Sequence, residues 1–328
     1  MKKIKKKYLL NRSILEYLDK TSTSYKKKTK NEVKENESVD TLMHIFKKLL
    51  DDIYFYREKL LTDGNDEDLH QLRITCRRSV VLMGEFRILY EKENLLSHRT
   101  GLKNLISISN TKRDMDVLKS ELCKIDGEIH YQNALDVLKE YVDKILQIEH
   151  NGIIDYLQSE TCINDLIAWK NYITDMNKTN ISIYGRYPIY SLAQYVIFQR
   201  FLKIKKRIKR LDPKHNASET LHKLRIEYKK MRYLLETFGY LYEKKEIKKL
   251  LKEMKKLQDV LGLFHDSYQQ KMIFESLLET EKNERVQSFI REVLLSNLKA
   301  YQKKEISKIR KQLKGFLKKK EAYRQIFT

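Results

Sequence analysis

The chain has 328 residues, 67 Lys+Arg against 45 Asp+Glu, and a formal net charge of +22. With 41% hydrophobic residues it can bury a core, which excludes wholesale disorder. Two prolines, Pro188 and Pro213, and nine glycines are too few for turn-dense sandwiches, barrels or Rossmann folds, so long helices are expected. No GxGxxG motif and no GxxxxGK loop followed by Ser or Thr occurs.

Residues 1–37 read as a basic leader and linker. Ile4, Tyr8, Ile14, Leu15 and Leu18 outline a short amphipathic helix over 4–19, and 20–37 is polar without periodicity. The start is basic like a signal peptide, but Asn11-Arg12-Ser13 interrupts the apolar run too soon. No stretch approaches the roughly 20 apolar residues of a membrane span. Cys76, Cys123 and Cys162 are far apart and form no CxxC pair, which fits a reducing cytoplasm.

Periodicity then predicts helices over 38–62, 67–91, 93–121, 128–149, 154–177, 188–211, 217–240, 243–279 and 282–316. Turns are expected at Asp63-Gly64-Asn65-Asp66, Asp126-Gly127, Tyr184–Pro188 and Asp212-Pro213, with Ser218 as an N-cap.

An internal repeat organises this series. His70-Gln71-Leu72-Arg73 through Arg77-Arg78 aligns with His222-Lys223-Leu224-Arg225 through Lys229-Lys230, at an offset of 152. The same offset carries Leu82 to Leu234, Phe86 to Phe238, Arg113 to His265 and Asp114 to Asp266. The chain is thus read as a duplication, with one unit over about 38–180 and another over about 186–328. Two such units are expected to pack with approximate two-fold symmetry around a shared groove.

At about 100° per residue, His222, Arg225, Lys229, Arg232 and Tyr233 share one helix face, opposite Leu224, Met231, Leu234 and Leu235. His70, Arg73 and Arg77 repeat the pattern, with Arg78 and Lys230 at the margins. Stacked like charges cost stability unless neutralised, whereas ordinary surface helices alternate signs. Asp114 and Asp266 supply part of the counter-charge; an external polyanion is the other candidate, and Arg suits phosphate because its planar fork donates twice. Arg200, Lys203 and Arg207 form a third stripe, in a run so Lys-rich that a solvated face is nearly as good a reading. The histidines form neither HExxH nor HxxxH, so no metal site is assigned.

The ordered set His70–Arg78, Lys112-Arg113-Asp114-Met115-Asp116-Val117-Leu118, Leu221–Glu236 and Leu257–Asp266 resembles the CHAD domain, the conserved histidine α-helical domain. The likeness covers roughly 38–320. It implies an all-α fold of two four-helix bundles related by a pseudo-two-fold axis around a basic cavity. It also implies binding of inorganic polyphosphate and, for many members, association with polyphosphate granules. By the family pattern His70, Arg73, Arg77, Arg78, Arg113, His222, Arg225, Lys229, Lys230, Arg232, Tyr233 and His265 are expected to face the ligand, with Asp114 and Asp266 orienting them. Val80 and Val81 stand where the second unit has Arg232 and Tyr233, so the first half is expected to contribute less there.

The ExExK signature of the triphosphate-tunnel hydrolases fused to some members is missing from the sequence, as is an evident acidic Mg²⁺-binding cluster. The expectation is therefore a non-enzymatic, cofactor-free, cytoplasmic binding protein. Two alternatives stay open: an RNA- or DNA-binding protein using the same basic surface, and a metal-dependent polyphosphate or triphosphate hydrolase using the histidines.

Overall fold

The computed structural model describes residues 12–28, 37–89, 94–125, 131–175, 182–211 and 217–326. Among them no β-strand forms; an isolated bridge joins Glu37 to Pro188. The chain is all-α. The helices are α1 (Arg12–Lys28), α2 (Ser38–Thr62), α3 (Asp66–Glu85), α4 (Asn94–Ser107), α5 (Asn110–Leu122), α6 (Gln132–Gln158) and α7 (Glu160–Asp175). They continue with α8 (Ile189–Lys209), α9 (Ala217–Phe238), α10 (Lys244–Thr280), α11 (Glu284–Ser288), α12 (Ser296–Lys318) and α13 (Lys320–Ile326). A π-helical segment, Phe289–Leu295, joins α11 to α12.

Several boundaries differ from those expected. The polar stretch read as a linker is helical through Lys28, and α1 buries Ile14 and Leu18 against the core. Ser22 and Ser191 hydrogen bond at 2.9 Å, and the Tyr187 hydroxyl donates to Asp19 at 2.6 Å, so α1 docks on and near α8. Residues 4–11, 29–36, Asp126-Gly127 and Asp212-Pro213 lie outside the described residues. α6 runs through Asn151-Gly152 to Gln158, since its buried Ile153 and Leu157 keep the helical period. Ser218 sits inside α9. The cap at Asn65 is a full capping box: its side chain accepts from Glu67 and Asp68 N–H, and Asp68 accepts from Asn65 N–H.

The single helix expected over 93–121 is broken at Ile108-Ser109. At the repeat offset α2 corresponds to α8 and α3 to α9, while α4 and α5 together correspond to the unbroken α10. Polar Ser109 and Asn110 stand where α10 has Leu261 and Gly262. Ser and Asn side chains compete with the helix for its own backbone groups, and Ser109 Oγ bonds back to Ile106 O at 3.2 Å.

Corresponding helices meet across the two units: α3 packs on α9, α2 on α8 and α5 on α10. Leu82 and Leu234 are both fully buried, and the rings of Phe86 and Phe238 lie 5.1 Å apart. The apolar core is not divided by unit. One cluster joins α2, α3, α4 and α7 with α8, α9, the first part of α10 and the end of α12. A smaller one joins α5 and the start of α6 with the end of α10 and the π segment. Polar side chains lie between them along the chain. On α10, Phe264 belongs to the first cluster and Phe274 to the second, with His265, Asp266, Ser267 and Gln270 intervening. On α4 and α5, Leu105 and Met115 flank Ser109, Lys112 and Asp114.

Phe86→Ala should lower the unfolding free energy by about 3–5 kcal/mol, the usual toll of an aromatic truncated in a packed core. Chemical denaturation of the two chains checks this; a loss under about 1 kcal/mol would show that the Phe86–Phe238 contact does not hold the units together.

Candidate anion-binding site

The basic faces of α3 and α9 meet the polar stretches of α5 and α10. The structure sorts the expected cations into two groups, according to whether a carboxylate or carbonyl already satisfies them.

Arg200 is buried, 3% exposed, between Glu85 and Glu227 and ion-paired to both. Arg207 Nε donates to Glu227 at 3.1 Å, and Lys230 Nζ lies 3.9 Å from Glu85. This third stripe is largely an internal ion network, so Arg200 and Arg207 would have to abandon carboxylates to meet a ligand. Lys203 remains exposed. Glu227, placed by its helical angle on the core side of α9, is the acid that binds two of them; for Glu85 the sequence carries no such signal, because its repeat partner is Thr237. Arg78 and Arg232 share Glu236 at 3.1 Å each and lie over the Tyr233 ring at 5.9 and 5.4 Å. Tyr233 is only 3% exposed, so it supports these two arginines and offers no open ring face.

Arg73 and Arg225 are equivalent in sequence and different in role. Arg73 is 5% exposed and donates to Ile106 O at 3.0 Å, to Ser109 Oγ and to Asn110 Oδ1 at 3.0 Å. It closes the C-terminal end of α4, where helix carbonyls lack intrahelical partners and a cation meets the negative end of the dipole. Burial, then Arg77, pulls its pKa down to about 10. Arg225 faces the unbroken α10, whose carbonyls are already paired. A Cβ at Gly262, the counterpart of Asn110, would meet nothing within 4 Å. Arg225 has Asp266 at 4.0 Å, and its buried Nε has no acceptor among the described residues.

Around Arg225 the charges are like. Lys229 is held down to about pKa 7 by burial, then by Arg225 and Arg77. Arg77 and Arg78 also carry buried Nε groups without acceptors among the described residues. His222 Nδ1 and His265 Nδ1 approach to 3.3 Å. Burial, then Arg225, lowers both imidazoles, His265 to about 4. Arg113 is exposed, and burial lowers the pKa of half-buried His70. The counter-charge is Asp114 and Asp266, whose pKa values are raised by burial, with nearby arginines opposing. A cavity of about 800 Å³ lined by His70, Arg73, Lys112, Arg113, Lys119 and His150, among others, adjoins this layer. Lys112 there is already tied to Asp66 and Asp116.

No group of three or more His, Cys, Asp or Glu that could hold a metal occurs among the described residues. None of their helices is long and apolar enough to cross a membrane.

Residues 44–275 match the CHAD domain family. The chain belongs to that family. The CHAD domain from the plant Ricinus communis has a similar structure, with 23% identity and a TM-score of 0.71, covering 85% of this chain and 92% of that one. PptA from Streptomyces chartreusis is also similar, at 12% identity and a TM-score of 0.66, covering 85% of this chain and 99% of that one. These likenesses show the fold. No curated protein matches the chain. Within this CHAD domain both motif histidines of the second unit, His222 and His265, lie side by side, whereas His70 faces Arg113 across the first unit.

Arg73→Ala should destabilise the fold by about 3 kcal/mol, because it strips a helix end of charge-assisted bonds. Lys229→Met should do the opposite. The folded pKa of Lys229 is about 7 against an ordinary 10.5, so between those two values the unfolded chain binds the extra proton and folding is penalised. Removing that amine should raise the thermal midpoint by a few degrees at pH 7 and much less near pH 11. Thermal melts at both pH values read the two variants; a fall in midpoint for Lys229→Met would contradict the assignment.

Proposed function

We propose that this CHAD domain binds inorganic polyphosphate without cleaving it, in a basic groove between α3, α9, α5 and α10 near an approximate two-fold relation of the two units. The supporting observation is the crowding of Arg77, Arg225 and Lys229 with only Asp114 and Asp266 to offset them, where burial, then repulsion from Arg225 and Arg77, lowers the Lys229 pKa to about 7. Such a cluster persists because a bound anion removes the repulsion that folding imposes. The packing of corresponding helices on each other supports the two-fold relation. Of the full expected ligand face, His70, Arg77, Arg113, His222, Arg225, Lys229 and His265 stand in front. Arg78, Lys230, Arg232, Arg200 and Arg207 lie behind as an ion-paired frame with Tyr233 and the exposed Lys203 beside them, and Arg73 is held at the end of α4. Association with polyphosphate granules in the cytoplasm is the cellular setting that this reading favours.

Nucleic acid is the second reading. Single-strand binders stack bases on open aromatic rings, and burial of Tyr233 beneath two arginines disfavours it. Hydrolysis through His222 and His265 is disfavoured by the cations around them, which repel a divalent metal.

Titration with defined-length polyphosphate, with orthophosphate release followed in the same tube, tests the proposal. Arg225→Ala should weaken binding about 10- to 100-fold, the worth of a charge-assisted phosphate contact. Affinity should fall steeply with salt. Phosphate release in Mg²⁺ or Mn²⁺ that His222→Ala abolishes, or displacement of polyphosphate by single-stranded RNA at equal phosphate, would overturn it.

Binding should also depend on pH. Lys229 is charged below about pH 7 in the free protein, and a bound polyanion raises its pKa, so binding takes up a proton above that value. Affinity should be flat from pH 6 to 7 and decline as pH rises to 9. Lys229→Gln should flatten that decline; an unchanged slope would assign it elsewhere.

A further inference from the structure

A second concentration of charge lies outside the groove residues. Seven lysines between Lys244 and Lys256 are exposed, on the side of α10 opposite Ile247, Leu250, Met254 and Leu257. α12 carries eight cations against one carboxylate, Glu305, which pairs with Lys308. Its Lys299, Lys303, Lys311 and Lys314 are exposed, opposite Ile309 and Phe316. The two helices run antiparallel and side by side: Gln302 donates to Ser267 O at 3.2 Å, and Lys319 to Glu253 at 2.7 Å. The lysine stripes extend about 18 Å along α10 and about 22 Å along α12.

This surplus is not a property of the whole chain. α6, whose counterpart at the repeat offset is α11, the π segment and the first part of α12, carries five carboxylates against Lys139 and Lys144. The large apolar side chains exposed on α10, Leu263, Tyr268 and Met272, lie C-terminal to Lys256, and none is exposed on α12. A bilayer-inserting face needs apolar side chains, and a single-strand nucleic-acid platform needs aromatic ones. Lysine alone, as a mobile point charge, responds to charge density and to little else.

Resting on the function proposed above, we infer that this face of α10 and α12 is a second binding surface for inorganic polyphosphate, engaging a further segment of a chain held in the groove. A chain seated in the groove presents its free length at millimolar effective concentration to a surface on the same protein, which a free duplex cannot do. The second contact is sequence-blind and strongly salt-dependent.

The test uses the full chain and a fourfold variant, Lys248→Gln, Lys252→Gln, Lys303→Gln and Lys311→Gln. Each is titrated with a short and a long defined-length polyphosphate at equal phosphate concentration, at several salt concentrations. The unsubstituted chain should bind the long polymer at least about tenfold more tightly than the short one. The variant should keep its short-chain affinity, lose most of that gain and show a shallower salt dependence. Unchanged long-chain binding, or equal losses for both lengths, would overturn the inference. So would duplex DNA that outcompetes the long polymer at equal phosphate. If the short polymer fails to bind the unsubstituted chain, the groove reading fails instead. The face is then upheld only if the fourfold variant also loses the long polymer.

Discussion

The arrangement depends on a repulsion: Arg77, Arg225 and Lys229 are brought together in a partly buried layer with two carboxylates, Asp114 and Asp266, to offset them. Apolar clusters on either side of that layer hold it in place, because the same helices that carry the cations carry Leu82, Leu234, Phe264 and Phe274 into packed cores. Hydrophobic burial is non-directional and can outweigh an unfavourable electrostatic term of a few kcal/mol. The strain of unpaired charge is thereby stored where an anion would relieve it, as is usual at functional sites.

The duplication explains both the likeness of the halves and the way they have parted. In the first half Ser109 and Asn110 break a helix, and Arg73 is consumed in closing the end so created. In the second half the helix continues, Gly262 leaves space, and Arg225 is released toward Asp266. One duplicated arginine has thus become a fold element and the other a candidate ligand contact. The outer charge differs too, with more carboxylates than cations on α6 and mostly cations on α12.

Much of the fold was legible from periodicity. The bounds of α2 agree with the expectation to the residue, and α8, α9 and α10 agree within two at each end. Apolar positions every three or four residues decide these helices locally. The α4–α5 break was not legible, since Ser-Ile-Ser-Asn-Thr at 107–111 is compatible with a helix until Arg73 supplies an alternative partner. The core role of α1 was hidden for a related reason: Ile14 and Leu18 make a weak stripe in a polar segment, and only α8 shows what they cover.

The residues of the candidate site were named by the amino-acid sequence through the repeat and the helical angle of each cation. Residue type, spacing and net charge determined the all-α class, the duplication and the basic faces. Apart from Arg232, which cations stay available was decided by tertiary structure. Glu85, Glu227 and Glu236 reach Arg200, Arg207, Arg78 and Arg232 from other helices or other turns. Apart from the i,i+4 pair Arg232–Glu236, neutralisation depends on distances of a few ångströms between distant segments, and the linear order of residues carries no record of those distances.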